Sequence, residues 1–243
     1  MSSLRAVLFD LDDTLFSTTE FARRARRNAV RAMIAAGLQA REEQVIAELE
    51  EVIREFGSNY DHHYDKLLMR LPRASIQGVN QAILVTSGMV AYHDTKFEDL
   101  QPFDDVIPFL DALKEAGLTV GIITHGWTTK QAEKLIRLGL VPHLDKGAVF
   151  ITDQLGISKP NPKLYTTALR ELRLEASEAM YVGDNLANDV APPKTLGMPT
   201  AWAARSARPG QPEDTIVPDH KISDFRELAQ ILRDSYDIPL REF

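Results

Sequence analysis

Short apolar segments alternate with helix-forming segments from about residue 97 to the end of the chain, and this alternation constrains the fold most strongly. Such alternation favours βαβ units and a parallel sheet. Helices then cover both faces of the sheet, since each crossover places a helix against it. The apolar segments are LTVGIIT, AVFI, AMYVGD and PTAWAA, and the helical segments are LQPFDDVIPFLDALKEAG, TKQAEKLIRLG, NPKLYTTALRELRL, PKTLGM and DFRELAQILRDSY.

A first apolar segment, LRAVLF at residues 4–9, resembles these strands but is separated from them in the sequence. The residues between have helical spacing of their apolar side chains and many strong helix formers. The simplest arrangement is a doubly wound, Rossmann-like α/β core formed by residues 1–16 and 97–243. An all-helical domain of residues 17–96 is then inserted after the first strand.

Composition and charge narrow the functional class. The chain has 243 residues, 44% hydrophobic and 26% charged, which is enough apolar material for the core of a globular enzyme. A net charge of −7 argues against nucleic-acid or anionic-membrane partners, and the lack of cysteine excludes disulfides and thiolate metal sites. No apolar run is long enough to span a bilayer, and the start MSSLRAVLFDLDDTL is not typical of a signal peptide, so we expect a cytoplasmic protein. Nothing in the sequence favours a monomer over a homodimer.

Polar side chains follow the predicted strands at the ends where they would meet. Open parallel sheets bind ligands in the crevice beyond the carboxyl ends of their strands. Asp10 and Asp12 follow the first strand in the stretch FDLDDTL, and alternate residues of an extended segment point the same way. Both can therefore face one crevice. The other polar residues near these ends are Thr124, Lys159, Asp184 and Asp189.

This set of side chains suits phosphoryl transfer with Mg²⁺. Mg²⁺ prefers oxygen ligands, usually one or two carboxylates with water and phosphate, and Asp10 and Asp184 can supply the carboxylates. A carboxylate can also act as a nucleophile and form an aspartyl-phosphate. A second carboxyl group can protonate the leaving oxygen and then activate water. Thr124 offers a neutral hydrogen-bond donor to phosphate, and Lys159 offers a positive charge.

Four motifs occur in order along the chain: DLDDT, the strand VGIIT with its terminal Thr, the first Lys of SKPNPKLY, and VGDNLAND with a second Asp five positions after the first. By these motifs the chain resembles the haloacid dehalogenase-like (HAD) superfamily, in the phosphatase branch with a helical cap after the first strand. By this resemblance Asp10 is the nucleophile and a metal ligand. Asp12 is then the general acid and base, and its backbone carbonyl also contacts the metal.

The resemblance assigns the other polar residues as well. Thr124 and Lys159 would bind the phosphoryl group. Asp184 would ligate Mg²⁺, and Asp189 would either ligate it or brace the site. His125 stands where this branch often has Asn, which leaves backbone contacts to phosphate and makes His125 a candidate for substrate binding. The inserted helices would form a mobile cap that closes over the substrate and excludes water.

We therefore expect a Mg²⁺-dependent phosphatase that acts on a small soluble phosphomonoester, of the nucleotide or sugar phosphate class, through an aspartyl-phosphate. A 2-haloacid dehalogenase would use Asp10 for attack on carbon, but it needs neither the metal nor the second acid. A phosphomutase stays open, because the cap decides whether water or a sugar accepts the phosphoryl group. A phospho-accepting switch resembling response-regulator receivers also gathers acids, Thr and Lys at strand ends, but such domains lack a large helical insertion.

Overall fold

The computed structural model describes residues 4–58, 60–207 and 209–243, with the backbone but not the side chain of Phe97. The chain divides into two compact units. One is Met1–Thr18 together with Gln101–Phe243, and the other is Thr19–Leu100. Each has its own buried apolar cluster. Within the described ranges, no helix combines the length and apolar character needed to cross a membrane.

The unit Thr19–Leu100 is helical. Its helices are α1 (Thr18–Ala35), α2 (Glu42–Phe56), α3 (His63–Arg70) and α4 (Gln81–Asp99), with a short 3₁₀ segment at Arg73–Ile76. Val30 and Met33 of α1 pack with Leu49 of α2 and Leu67 of α3 in one buried cluster. These helices agree with the all-helical prediction for this segment, although HYDKLLMR of α3 follows a polar run and has only a short apolar stripe.

The larger unit is a six-stranded parallel sheet with flanking helices, which confirms the predicted α/β fold. The strand order is β3-β2-β1-β4-β5-β6. The strands are β1 (Ala6–Phe9), β2 (Thr119–Thr124), β3 (Val149–Ile151), β4 (Ala179–Gly183), β5 (Thr200–Ala203) and β6 (His220–Ile222). The helices are α5 (Val106–Glu115), α6 (Thr128–Arg137), α7 (Thr152–Leu155), α8 (Pro162–Leu172), α9 (Ala191–Thr195) and α10 (Phe225–Tyr236). The edge strand β6 was not predicted, because its sequence HKI lacks an apolar run.

Successive residues of β1 pack on opposite faces of the sheet. The ring of Phe9 lies 6.1 Å from that of Phe109 on α5 and 5.8 Å from that of Phe225 on α10, between centroids. Leu8 instead joins the buried cluster that contains Leu164 and Tyr165 of α8. All four residues of β1 are buried, as a central parallel strand requires. The end of β1 therefore lies in the middle of the sheet.

Candidate active site

Three adjacent strands bring predicted site residues to one edge of the sheet. β1 pairs with β2 on one side and with β4 on the other. Asp10 continues β1, and its amide donates to the carbonyl of Val182 at 2.8 Å. Thr124 is the last residue of β2, and Asp184 directly follows β4. Because the carboxyl ends of parallel strands share an edge, these residues meet there.

Asp10, Asp184 and Asp189 form a buried carboxylate group. Each offers one oxygen, and these oxygens lie within 4.8 Å of one another. Burial raises the pKa of Asp10 to about 7. The carboxylates of Asp189 and Asp12 add to this rise, and the positive charge of Lys159 opposes it. Burial, with the neighbouring carboxylates adding to the rise, brings the pKa of Asp184 to about 8. Three crowded oxygen donors of this kind fit a hard divalent cation such as Mg²⁺, which would relieve their repulsion.

Asp189 reaches the carboxylate group from a single π-helical turn, Leu186–Val190, which follows β4. Its Oδ2 accepts a hydrogen bond from the amide of Asn185 at 3.0 Å. Gly183 makes the approach possible, because a Cβ at that position would lie 2.4 Å from the Cβ of Asp189. α9 starts directly after the turn, and its two prolines lie in the first helical turn, where amides have no intrahelical partner.

Lys159 lies between two of these acids. Its Nζ donates to Asp10 Oδ1 at 2.6 Å, to Asp189 Oδ1 at 2.7 Å and to Tyr181 OH at 2.9 Å. The side chain is 4% exposed, so its three ammonium protons are used inside the protein. Burial opposes the charged form, but Asp10 and Asp189 outweigh it and raise the pKa of Lys159 well above its usual value. Lys159 is therefore a fixed positive charge beside Asp10.

The two residues at the end of β2 have different surroundings. The Thr124 hydroxyl is buried and finds no hydrogen-bond partner within the described residues. A buried hydroxyl without a hydrogen-bond partner is unfavourable. An anionic oxygen bound next to it would accept its hydrogen bond. The exposed ring of His125 has its Nδ1 at 3.1 Å from Ser158 Oγ and 3.4 Å from Thr152 Oγ1. The imidazole does not join the carboxylate group.

The side chain of Asp12 has hydrogen-bond partners that differ from those of Asp10. Lys134 Nζ lies 2.6 Å and 2.7 Å from its two carboxylate oxygens. Gln131 Nε2 donates to its Oδ2 at 3.0 Å, and Thr18 Oγ1 donates to its Oδ1 at 3.0 Å. The side chain of Asp12 is not among the carboxylates that lie within 4.8 Å of one another. A metal contact through its backbone carbonyl stays a prediction.

Sequence reasoning missed the residues that hold the predicted ones in place. Tyr181 of β4 binds Lys159, and Gln131 and Lys134 of α6 bind Asp12. A tyrosine inside a buried apolar strand is one available signal, since its hydroxyl needs a partner there. The other signal is the spacing of Gln131 and Lys134, which places both side chains on one helix face after β2.

We expect Tyr181→Phe to lower turnover about tenfold, because the buried Lys159 ammonium loses an acceptor. Tyr181 also donates to the carbonyl of Ile123 at 2.8 Å. The free energy of unfolding should therefore fall by about 1–3 kcal/mol, measured by urea denaturation beside steady-state kinetics.

Tyr165→Phe is the matched control for Tyr181→Phe. The two rings lie 5.0 Å apart between centroids, but the Tyr165 hydroxyl donates to the carbonyl of Asn188 instead. We expect this variant to lose stability and to keep turnover near that of the wild type. Equal turnover in the two variants would contradict a role for Tyr181 in holding Lys159.

A parallel sheet with a buried aspartate–lysine cluster at the carboxyl ends of its strands is the arrangement of a class of hydrolases. The family model for haloacid dehalogenase-like hydrolases matches residues 4–197. The chain belongs to this family, as its motifs predicted.

Relatives that are named as phosphatases agree with this assignment. A glyceraldehyde 3-phosphate phosphatase of Methanopyrus kandleri is 44% identical over 235 residues, which cover 95% of this chain and 98% of that protein. A glyceraldehyde 3-phosphate phosphatase of Methanocaldococcus jannaschii is 37% identical over 230 residues, covering 95% and 97%. The crystal structure of an HAD phosphatase from Thermococcus onnurineus matches 94% of this chain and 98% of that one, with a TM-score of 0.65 and 24% identity, and supports the fold alone. The prediction of an HAD-type phosphoric monoester hydrolase is confirmed.

Proposed function

We propose that the protein is a Mg²⁺-dependent phosphatase that hydrolyses a small sugar phosphate, glyceraldehyde 3-phosphate, through an aspartyl-phosphate on Asp10. The observation that carries this proposal is the buried Asp10 carboxylate, bound by Lys159 at 2.6 Å and grouped with Asp184 and Asp189. The descriptions of the two relatives support the substrate and favour a sugar phosphate over a nucleotide. A cytoplasmic location and the absence of nucleic-acid partners stay predictions.

We assign the metal site to Asp10 and Asp184, with the backbone carbonyl of Asp12. Asp189 either ligates the metal or braces the site through Lys159 and Asn185. When bound, Mg²⁺ supplies positive charge that stabilises both the crowded carboxylates and the phosphoryl oxygens. We assign the role of a mobile cap to the helical insertion, predicted as residues 17–96 and observed as the compact unit Thr19–Leu100.

The proposed reaction has two displacements at phosphorus. In the first, an oxygen of Asp10 bonds to phosphorus, the bond from phosphorus to the substrate oxygen breaks, and Asp12 gives that oxygen a proton. In the second, Asp12 takes a proton from water, which bonds to phosphorus and breaks the bond to Asp10. Lys159 and Thr124 hold the phosphoryl oxygens through both steps.

We expect Mg²⁺ to raise the melting temperature more at about pH 8 than at about pH 6. In the metal-free fold the pKa of Asp10 is about 7 and that of Asp184 about 8, against 3.8 for a free carboxyl group. The folded chain therefore binds more protons than the unfolded chain over this range, and its stability falls as pH rises. Mg²⁺ competes with those protons, so its effect grows as they leave.

Thermal melts with and without Mg²⁺ across this pH range measure the effect. Asp184→Asn is the control, because it removes one raised pKa and one proposed ligand together, and its Mg²⁺ response should be small at every pH. A wild-type response that shrinks as pH rises would contradict the proposed metal site.

Phosphate release from D-glyceraldehyde 3-phosphate tests the proposed function. We expect rapid release with Mg²⁺ and none with EDTA, and slower release from AMP and glucose 6-phosphate at the same concentration. Chloride release from 2-chloropropionate would favour the dehalogenase instead. Phosphoryl transfer to a sugar without phosphate release would favour the phosphomutase, and a stable aspartyl-phosphate without turnover would favour the switch.

A further inference from the structure

The carboxylate of Asp12 is held from two directions. Lys134 Nζ contacts both of its oxygens, at 2.6 Å and 2.7 Å. Gln131, one turn earlier on α6, donates to Oδ2, and Thr18 donates to Oδ1. Each oxygen therefore has two donors, which leaves the carboxylate little freedom to rotate.

The α6 side of this arrangement is packed in place. Gln131 is 3% exposed, and its Nε2 also donates to the carbonyl of His125. Gly126 has φ of +142° and leaves room for it, since a Cβ there would lie 2.7 Å from Gln131 Nε2. The ammonium of Lys134 lies 6.0 Å from the centroid of the Phe16 ring. These contacts fix where Lys134 and Gln131 meet Asp12.

Stability alone is a weak reason for such an ion pair. The side chains of Lys134 and Asp12 are 21% and 28% exposed, and ion pairs that water still reaches contribute little to folding. Proton transfer, by contrast, depends steeply on where the carboxyl oxygen stands relative to the reacting oxygen. A contact to both oxygens of Asp12 sets that position.

We propose that Lys134 is a positioning residue that, together with Gln131, orients the Asp12 carboxyl group for proton transfer to the leaving oxygen. This inference rests on the proposed function, in which Asp12 is the general acid and base. Lys134 acts through Asp12 and is not itself a catalytic residue.

The test compares two substrates in Lys134→Met. The alkoxide that leaves glyceraldehyde 3-phosphate needs a proton, whereas p-nitrophenolate leaves without one. We expect kcat for glyceraldehyde 3-phosphate to fall about 30-fold or more with KM within about threefold. The first-turnover release of p-nitrophenolate should stay within about threefold of the wild-type rate. Lys134→Arg should recover part of the loss, because it keeps the charge.

Two controls separate positioning from a structural role. Lys130→Met, on the same helix, removes an ammonium that lies 4.2 Å from the centroid of the Trp127 ring and should keep wild-type kinetics. In an Asp12→Asn background, Lys134→Met should cause little further loss, because its effect passes through Asp12.

Three outcomes overturn the inference while leaving the proposed function in place. One is Lys134→Met with wild-type kcat on glyceraldehyde 3-phosphate, and another is an equal loss on both substrates in the first turnover. The third is full additivity of Lys134→Met with Asp12→Asn. A wild-type enzyme that hydrolyses no phosphomonoester overturns the proposed function and the inference with it, so the two failures are distinguishable.

Discussion

Asp10→Asn is expected to lower phosphate release by a factor on the order of 10⁴ or more, because the amide cannot form the aspartyl-phosphate. Asn has nearly the shape of Asp, so the fold should persist. The variant also removes the negative charge of Asp10 itself, which is part of the carboxylate group and pairs with Lys159. Steady-state phosphate release at saturating Mg²⁺ measures the effect, and circular dichroism checks the fold.

Asp13→Asn is the matched control for Asp10→Asn. Asp13 belongs to the same acidic stretch and is also buried, but its Oδ1 accepts from the amide of Thr18 at 2.8 Å, at the start of α1. Its φ of 56° is a left-handed conformation that Asn adopts readily, and an amide oxygen can accept the same hydrogen bond. We expect turnover within about tenfold of the wild type. Full turnover in Asp10→Asn would contradict the proposed nucleophile.

Lys159→Met is expected to lower turnover by about 10²–10³, because the phosphoryl group and Asp10 lose the positive charge between them. In the metal-free protein it leaves Asp10 and Asp189 buried without their cation, and breaking a buried pair in this way costs about 3–5 kcal/mol. Lys159→Arg should not restore turnover, because the Lys159 side chain is only 4% exposed and the larger planar guanidinium does not fit in its buried position. Kinetics and denaturant melts measure both effects.

Lys163→Met is the control for Lys159→Met, because both lysines lie near the start of α8. Lys163 is exposed in the first turn of α8, and we expect wild-type turnover and stability from this variant. Mg²⁺ should still raise the melting temperature of Lys159→Met, because the three carboxylates remain. Wild-type turnover in Lys159→Met would show that its ammonium acts only in folding.

The carboxylate–lysine cluster could be anticipated from sequence because the sheet is parallel. A strand that is apolar throughout ends where a polar residue begins, so Asp10, Thr124 and Asp184 mark three ends that must share an edge. Lys159 and Asp189 lie in the connecting segments beyond two of the strands, and the motif resemblance gave them roles; the structure brings both to Asp10. Local pattern and global topology agree at these positions.

Contacts between side chains far apart in sequence could not be anticipated. Tyr181 meets Lys159, and Lys134 meets Asp12 across 122 positions, and no periodicity encodes either distance. The contacts of the His125 ring with Ser158 and Thr152 could not be anticipated either, and its role in substrate binding stays a prediction. Short elements were missed for a different reason, since β6 has three residues and no apolar run.

Passage of the phosphoryl group through Asp10 is tested most directly by the stereochemical course at phosphorus. A thiophosphate analogue of the substrate, chiral through isotopes of oxygen, is hydrolysed in water that supplies the third isotope. Each in-line displacement inverts the configuration at phosphorus, so two displacements give net retention. Net retention is the predicted result, and net inversion would mean that water attacks the substrate directly, which contradicts an aspartyl-phosphate on Asp10.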